Sequence, residues 1–515
     1  MHRGLLIPEV VELICGVADF PTLSSLARTC QTFQPPALAV LWETQFGLMQ
    51  LLKCMPSDLW EVPVPAHNGT QAIWNIQRPI VPADLTRMLF YAEYVRTFIQ
   101  EDQQSTKLDP YAALSIVLPA SPLFPNLRHL TWQVPNDVFP YFRMLAGSKL
   151  RSIILDLWGS QAVRSTLFPY LTAFHPNLTR VAIEFGTVDA PIVKESAYSA
   201  LRSLNRLERV KINCLDGPTL LHLTGLPNLD RLHIHYFPDL HLDFQPPVFT
   251  ALRQFIAYCE SMKLITNFFD ALESDALDKI DLTVESTAVA EEWPVLTSSL
   301  ARKSKTLTKL YLRQRFSYDH EIPDVLELML PADSFQPLLS CVNLTEVHIV
   351  IGHGIDIDNA FLKQMAQAWP QLRTLDLSPG CQSARYEPRA TLAGLVPLAQ
   401  HCSHLETLAL VLNATSINPH AKEKPGAGVR NLTLLELDVV ESPVDSPAAV
   451  ASFLSAIFPN LRRVSSRMDG ERNILMPDGE ENMVEWASVG ALVRVISSAR
   501  AQEHYVPDTM LVDGE

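Results

Sequence analysis

Apolar residues recur along most of the chain in one short pattern, Leu-x-x-Leu-x-Leu, with other aliphatic or aromatic residues at some of its positions. Leu229-Asp-Arg-Leu-His-Ile-His235 is a clear copy. Its alternation predicts a short β-strand that points its apolar side chains to one side and Arg231, His233 and His235 to the other. We expect such a strand wherever the pattern returns.

Copies of this pattern follow one another at intervals of 22 to 37 residues. We place their starts at Leu127, Leu150, Leu178, Leu207, Leu229, Leu252, Leu277, Leu307, Leu344, Leu372, Leu405, Leu432 and Leu461. Helical stretches are predicted between strands, most clearly over 358–369, 392–402 and 447–458. The interval is close to the roughly 20–29 residues of leucine-rich repeats, whose units bury an apolar side only when they are stacked. The predicted fold class is α/β: a leucine-rich-repeat solenoid over residues 121–470, with a curved parallel sheet and helices on its convex side.

Proline marks several joins between a predicted helix and the next strand, where it stops the helix and sets the preceding residue extended. The residues directly before these prolines are Phe124, His175, Leu226, Trp369 and Phe458.

The first fifty residues predict three short helices. Pro8 and Glu9 favour a helix start, Pro21 begins a second helix and Pro35 a third. Residues at three- and four-residue steps predict one apolar face on the first helix, formed by Ile7, Val10, Val11, Ile14 and Val17. A module this small buries little core, so we expect a partner to cover part of its surface.

Within residues 6–42 the chain resembles the F-box family. The resemblance rests on Leu6-Ile-Pro-Glu9-Val10, on Leu41-Trp42, and on the apolar positions Ile14, Leu23, Leu26, Cys30 and Phe33. Ile7, Thr29 and Gln31 depart from the family pattern. The resemblance implies a three-helix F-box-like domain at 1–50 that binds a Skp-type adaptor and, through it, a cullin scaffold. The adaptor-binding residues implied are Leu6, Pro8, Glu9, Val10, Ile14, Leu23 and Leu26.

The F-box resemblance makes the chain a candidate substrate-recognition subunit of a cullin–RING ubiquitin ligase. The alternative is a non-catalytic leucine-rich-repeat scaffold whose N-terminal helices only cap the repeats.

Residues 51–120 form a predicted connector, in which a helix over 83–94 and a strand over 95–99 suggest a degenerate first repeat. Residues 471–515 are predicted as a capping helix, over 483–498, followed by a disordered tail.

Basic residues are frequent on the outward side of the third to eighth predicted strands. Seven of these 18 positions are Lys or Arg, against 41 of 515 in the whole chain. Because guanidinium forks suit carboxylate and phosphate, we predict that they bind an acidic or phosphorylated protein target. The alternative is that their stems simply cover apolar surface. The candidate target-binding residues are Arg180, Arg209, Lys211, Arg231, His233, His235, Lys279, Lys309 and Arg313.

Net charge, hydropathy, sequence motifs and cysteine spacing argue against several classes of function. A net charge of −15 argues against nucleic-acid and acidic-membrane partners, and no apolar run is long enough for a membrane span. Catalytic motifs are absent, and His233 and His235 share a strand face without an acid or thiol at metal-ligand spacing. We therefore expect no enzymatic activity, cofactor or metal. Scattered cysteines without Cys-x-x-Cys spacing and the lack of a secretory signal predict a cytoplasmic or nuclear location.

Overall fold

The computed structural model describes residues 7–60, 76–101, 108–118, 122–134, 138–156, 160–185, 190–238, 248–285, 290–303, 305–315, 329–352, 354–379, 387–416, 425–440, 442–466 and 479–503. The chain divides into two compact units, Met1–Leu229 and Asp230–Glu515. Each unit contains a parallel sheet and its own helices.

In the first unit, short strands alternate with helices, and each strand pairs in parallel with the next along the chain. The strands are β1 Thr44–Phe46, β2 Thr97–Gln100, β3 His129–Trp132, β4 Ser152–Asp156, β5 Arg180–Glu184 and β6 Arg209–Cys214. The helices are α1 Pro8–Val17, α2 Phe20–Leu26, α3 Gln34–Trp42, α4 Met49–Leu52, α5 Thr86–Ala92, α6 Leu108–Val117, α7 Phe142–Leu145, α8 Gln161–Phe174, α9 Pro191–Ser203 and α10 Gly217–Thr224. Short 3-10 helices cover Ser57–Leu59, Pro82–Leu85 and Phe139–Tyr141.

The three predicted N-terminal helices are present as α1, α2 and α3, and they share one small core. Pro8 is the first residue of α1, where its missing N–H removes no helical hydrogen bond. The second helix begins at Phe20, one residue before the predicted proline, because the Asp19 carboxylate accepts a hydrogen bond from the Thr22 N–H at 2.9 Å. The buried core of the module consists of Val11, Cys15, Leu23, Phe33 and Ala37.

A strand that the sequence analysis missed follows these helices directly. β1 pairs in parallel with β2, and the Arg96 and Thr97 N–H groups both donate to the Glu43 carbonyl at 2.9 Å. The helix predicted over 83–94 and the strand predicted over 95–99 are present as α5 and β2. The parallel sheet of the first unit therefore starts at Thr44, immediately after the three-helix module.

Each strand of the first unit has a buried side and an open side. Leu130, Ile153, Val181 and Val210 occupy matching positions in β3 to β6 and are at most 5% exposed. The residues that alternate with them point away from this core, as a pleated strand requires. We call this outward side of β1 to β6 the open face.

The second unit repeats this arrangement with longer and less regular connections. Its strands are β7 Arg231–Tyr236, β8 Gln254–Cys259, β9 Lys279–Glu285, β10 Lys309–Arg315, β11 Leu330–Pro331, β12 Glu346–Val350, β13 Ile355–Asp356, β14 Thr374–Asp376, β15 Thr407–Ala409, β16 Glu436–Asp438 and β17 Arg463–Ser465. The main sheet runs in chain order, and β11 and β13 form a separate pair. The helices are α11 Met262–Ala271, α12 Glu292–Ala301, α13 Asn359–Ala368, α14 Leu395–His401, α15 Pro447–Ile457 and α16 Gly479–Glu503. Short 3-10 helices cover Ala332–Ser340, Leu392–Gly394 and Pro425–Gly428.

In both units the predicted repeat starts agree with the strands of the structure, with one exception. Twelve of the thirteen leucines are at most 3% exposed and lie two residues before a strand, whereas Leu432 is 60% exposed. The twelfth repeat starts at Leu434, which is fully buried. Asn431 fixes this register, because its buried side-chain oxygen accepts hydrogen bonds from the N–H groups of Thr433 and Leu434. With this correction, the predicted α/β leucine-rich-repeat fold is confirmed.

Asparagine side chains join neighbouring repeats within each unit. In the first unit the Asn126 side chain donates to the Glu93 carbonyl at 2.9 Å. In the second, Asn343 donates to Lys305 and Asn460 to the Leu432 carbonyl, both at 2.7 Å. Such bonds satisfy turn carbonyls that would otherwise lack a protein partner.

The helix predicted over 483–498 is present as the longer α16, which packs on α15 and β17. Trp486, Val489 and Val493 are fully buried, and the Trp486 indole N–H donates to the Ser442 carbonyl at 2.7 Å. The helix thus covers apolar core at the end of the second unit.

The predicted tail lies outside the described residues. None of the helices in the described part of the chain has the length and apolar character needed to cross a membrane.

Candidate interaction surfaces

The N-terminal helices present apolar side chains to solvent. Leu13 and Val17 are 71% and 87% exposed, and their four-residue spacing on α1 places them on one side of that helix. Phe20, at the start of α2, is 70% exposed. We call Leu13, Val17 and Phe20 the apolar patch. Val17 was predicted to face the module core, but Val11 and Cys15 occupy that position instead.

The predicted adaptor-binding residues have different environments. Pro8 and Glu9 are exposed and Val10 is half-buried, so these side chains reach the surface. Ile14 and Leu26 are partly buried against the module core, and Leu23 is only 2% exposed within it. Leu6 lies outside the described residues. Leu23 therefore packs inside the core of the three N-terminal helices, and its side chain is not on their surface.

The junction between the module and the first repeat is closely packed. The Trp42 ring stacks on the Tyr91 ring with centroids 4.4 Å apart and planes 18° from parallel. A cleft of about 430 Å³ adjoins this stack, with Ala27, Leu38 and Leu41 among its lining residues. Because β1 also pairs with β2, both side-chain and backbone contacts fix α3 against the first repeat.

The basic residues predicted for target binding in the first unit lie on its open face. Arg180 and Arg209 are register partners at the starts of β5 and β6. Lys211 is exposed and pairs with Glu184, with 2.5 Å between the Lys211 Nζ and the carboxylate oxygen. Its charge is therefore matched locally, although an exposed pair of this kind contributes little to stability.

His129, at the start of β3, is partly buried and has charges of both signs nearby. Burial lowers the pKa of His129, and the charges of Arg180 and Arg128 lower it further, while Glu43 opposes them. The imidazole is thus held in its neutral form by burial and by two neighbouring guanidinium groups.

In the second unit, two of the predicted basic residues lie against the ring of Tyr311. The Lys279 Nζ lies 4.7 Å and the Arg313 guanidinium 5.3 Å from the centre of the Tyr311 ring, as in cation–π contacts. The Tyr311 hydroxyl donates to Glu346, and its ring stacks on His348 at 4.7 Å. Burial, with the Glu346 hydrogen bond and the nearby carboxylates, raises the pKa of Tyr311, so it remains a hydrogen-bond donor at neutral pH.

Carboxylates balance these basic side chains. Asp281 lies 2.6 Å from Arg313 and 3.5 Å from Lys279, and Glu346 lies 2.6 Å from Lys309. Burial opposes ionisation of Glu346, but hydrogen bonds from Lys309 and Tyr311 lower its pKa overall. The region around Tyr311 is therefore a set of matched charges.

The remaining predicted target-binding residues lie on β7. Arg231 is exposed, with its Nε 3.9 Å from the Asp230 carboxylate. His233 is half-buried, and His235 is exposed with its ring 4.7 Å from that of Tyr236. In the described ranges no group of three or more His, Cys, Asp or Glu side chains could hold a metal ion.

No protein-family model and no curated protein matches the sequence of this chain. Among solved structures, the chain is similar to one in the crystal structure of the Rad7 and Elc1 complex in yeast. The two chains have 12% sequence identity and a TM-score of 0.33, and the match covers 91% of each. A TM-score this low is no basis for transferring a partner or an activity.

Three features of these surfaces escaped the sequence analysis. Leu13 was overlooked, although its spacing to Val17 is a readable signal. The pairing of Lys309 with Glu346 could not be read, because the two residues are 37 positions apart and become neighbours only through the β10–β12 register. Arg128 was not selected, because it lies one residue before its strand.

Proposed function

We propose that this chain is the substrate-recognition subunit of a Skp–cullin–F-box ubiquitin ligase. Its N-terminal helices would bind a Skp-type adaptor, and its repeats would bind a protein target. The observation that carries the proposal is the apolar patch on α1 and α2. Leu13, Val17 and Phe20 are all at least 70% exposed, and this patch belongs to the module that resembles an F-box. A patch of exposed large apolar side chains is typical of a protein-binding surface.

Such a subunit works by positioning rather than by bond chemistry. An adaptor and a target held on one chain raise the effective concentration of target lysines near a charged conjugating enzyme. A stiff connection between module and repeats preserves that geometry. The Trp42–Tyr91 stack and the β1–β2 pairing provide one in the first unit.

A capping role for the helices in a ligase-free scaffold is the second candidate. The direct continuation of α3 into β1 favours it, because the module covers the first strand of the sheet. Capping does not explain why Leu13 and Val17 face solvent, since a cap needs a polar outer surface. The two roles are compatible, and adaptor binding distinguishes a ligase subunit from a scaffold.

Replacing Leu13 and Val17 together by Asp tests the proposal directly. We expect the wild-type chain to co-purify with a Skp-type adaptor and the double variant to lose it. Burial of each side chain contributes about 1.5–3 kcal/mol, so the adaptor Kd should rise at least about 100-fold. Both residues lie outside the module core, so the variant should keep its fold. Charged residues at Ile14 or Leu26 would instead disrupt that core.

Val295→Asp is the matched control, because Val295 is 56% exposed on α12 in the second unit. It should leave adaptor binding unchanged. Circular dichroism and thermal unfolding of each variant check the fold. An unaltered adaptor Kd in the Leu13→Asp, Val17→Asp variant would rule out the patch as the adaptor surface.

A further inference from the structure

The cleft beside the Trp42–Tyr91 stack is lined by several elements of the first unit. Its side chains come from α2 and the residues directly after it, and from α3, β1, α4 and α5, and its volume is about 430 Å³. We call it the junction cleft. Small-molecule sites have volumes of about 300–1,000 Å³ and apolar walls with a few polar groups. Ala27, Leu38 and Leu41 form the apolar part of this wall, so size and composition are those of a ligand site.

Gln45 is a polar residue at a position where the following strands are apolar. It aligns in register with Phe98, Phe98 aligns with Leu130, and Leu130 aligns with Ile153. Those three apolar side chains are at most 1% exposed, and Gln45 is 5% exposed. A buried amide costs free energy of desolvation unless its polar atoms are hydrogen-bonded. Packing alone thus favours an apolar residue here, yet the wall of the junction cleft contains an amide.

Only the nitrogen of the Gln45 side chain is used within the protein. It donates to the Thr44 carbonyl at 3.0 Å and to the Trp42 carbonyl at 3.4 Å. The side-chain oxygen accepts no hydrogen bond from any described residue. Because buried polar atoms are nearly always hydrogen-bonded, this oxygen suits a ligand that brings an N–H group.

Two arginines supply positive charge at the junction cleft. Arg28 is one of its lining residues, and its Nε donates to the Ser24 carbonyl at 3.0 Å. The Arg87 guanidinium lies 5.9 Å from the centre of the Tyr91 ring. Neither arginine has an ion pair with a carboxylate in the part of the chain that the structure describes. Since the planar guanidinium fork matches a carboxylate, a ligand with one carboxylate fits this charge.

We propose that the junction cleft binds a small aromatic carboxylate that carries an N–H group. Its ring would lie against the Trp42–Tyr91 stack. Its N–H would donate to the Gln45 side-chain oxygen, and its carboxylate would pair with Arg28. Such a ligand contacts both α3 and α5, so it would stabilise the connection between the three-helix module and the first repeat. This site goes beyond the proposed ligase role and does not depend on it.

The backbone around the cleft favours a compact ligand over a protein segment that adds a strand. The Glu43 carbonyl and the Gly47 N–H bond to β2, so the outer edge of β1 is left to the backbone groups of Thr44 and Phe46. The Thr44 carbonyl already accepts the Gln45 side chain. An added strand would therefore have few backbone partners there.

The test is fluorine NMR of N-acetyl-para-fluorophenylalanine, titrated with the full-length chain. This probe has a ring, an amide N–H and a carboxylate. The wild-type chain should bind it with a Kd of about 0.1–1 mM, as expected for a ligand of its size. The uncharged analogue N-acetyl-para-fluorophenylalaninamide should bind about tenfold more weakly, because the charge-assisted contact is lost.

Two substitutions separate the contacts. Arg28→Gln should raise the Kd of the carboxylate probe about tenfold and leave that of the amide probe unchanged. Gln45→Leu should raise both Kd values about three- to tenfold, because both probes carry the N–H. Leucine suits the buried position of Gln45, and thermal unfolding checks the fold of this variant. Arg28 is only half-buried, so the Arg28→Gln result stands even if Gln45→Leu unfolds.

Arg206→Gln is the matched control, because Arg206 is an exposed arginine of the first unit that bonds to Asn177 outside the cleft. It should leave both Kd values unchanged. Absence of probe binding by the wild-type chain would overturn the proposal. So would an equal effect of Arg28→Gln on the two probes, or Kd values that do not respond to either substitution. Tighter binding of a peptide that ends in Gly-Ser-Gly-para-fluorophenylalanine would replace the small ligand by a chain terminus.

Discussion

His175 is a titratable residue at a position where other repeats carry apolar side chains. It occupies the residue before proline that is Phe124, Leu226, Trp369 or Phe458 elsewhere. Its ring is 2% exposed, and neither ring nitrogen has a hydrogen-bond partner in the described structure. Burial lowers its pKa. A charged imidazole here would lose its hydration without gaining a partner.

Stability should therefore fall as the pH drops below the ordinary histidine pKa of about 6.5. The unfolded chain then takes up a proton that the folded chain resists, so unfolding is favoured from about pH 6.5 down to the lower folded pKa. The free energy of unfolding should fall by at most about 1.4 kcal/mol per pH unit for this residue. His175→Phe, which introduces the side chain found at two of the other joins, should reduce the slope, measured by denaturant unfolding between about pH 7 and 5.

His404→Phe is the control, because His404 is exposed. It should keep the wild-type slope. His129, whose pKa is also lowered by burial and nearby arginines, should leave a residual slope in the His175→Phe variant. An identical pH dependence in the His175→Phe and wild-type chains would contradict the role of His175.

Residue-level chemistry was only partly predictable from the sequence. Strand alternation correctly placed Arg180, Lys279 and Arg313 on the outward side of their strands. It did not reveal that Asp281 lies beside both Lys279 and Arg313. Charge matching across a sheet depends on which residues of neighbouring strands become partners, and repeats of unequal length conceal that register.

At the scale of elements, a close approach between neighbouring repeats makes one glycine irreplaceable. A β-carbon on Gly394 would lie 2.6 Å from the Asn359 side-chain oxygen and 2.7 Å from a methyl carbon of Leu362. That oxygen accepts the Thr391 N–H at 2.8 Å, and Leu362 is fully buried. Neither neighbour can move without loss of a contact.

Gly394→Ala should therefore destabilise the chain by about 1–3 kcal/mol, as overpacked cores do. Chemical unfolding monitored by circular dichroism measures the effect. Gly16→Ala is the matched control, since nothing lies within 4 Å of its added β-carbon on α1. Higher helix propensity should make that variant neutral or more stable by up to about 1 kcal/mol. Equal effects of the two substitutions would show that close packing at Gly394 is not limiting.

The predicted elements were most accurate where a buried leucine starts a strand. The error at Leu432 arose because two overlapping leucine patterns fit the same segment, and only the buried Asn431 side chain separates them. β1 was missed because Thr44-Gln-Phe46 contains no leucine pattern. Its strand geometry comes from pairing with β2, a tertiary contact that overrides weak local preference.

At the scale of the whole molecule, net charge conceals the distribution of charge. The chain is acidic overall, with a net charge of −15, yet basic side chains cluster around Tyr311, where Asp281 and Glu346 pair with them. Composition therefore does not show which charges on the repeats are already paired with a neighbouring strand.

The proposed ligase role depends on one contact, between the apolar patch and an adaptor. The measurement that tests it most directly is affinity purification of the full-length chain from proteasome-inhibited cells, followed by mass spectrometry. The wild-type and Val295→Asp chains should recover a Skp-type adaptor and a cullin, and the Leu13→Asp, Val17→Asp chain should recover neither. Absence of both from the wild-type sample, or equal recovery with all three chains, would contradict the proposed function.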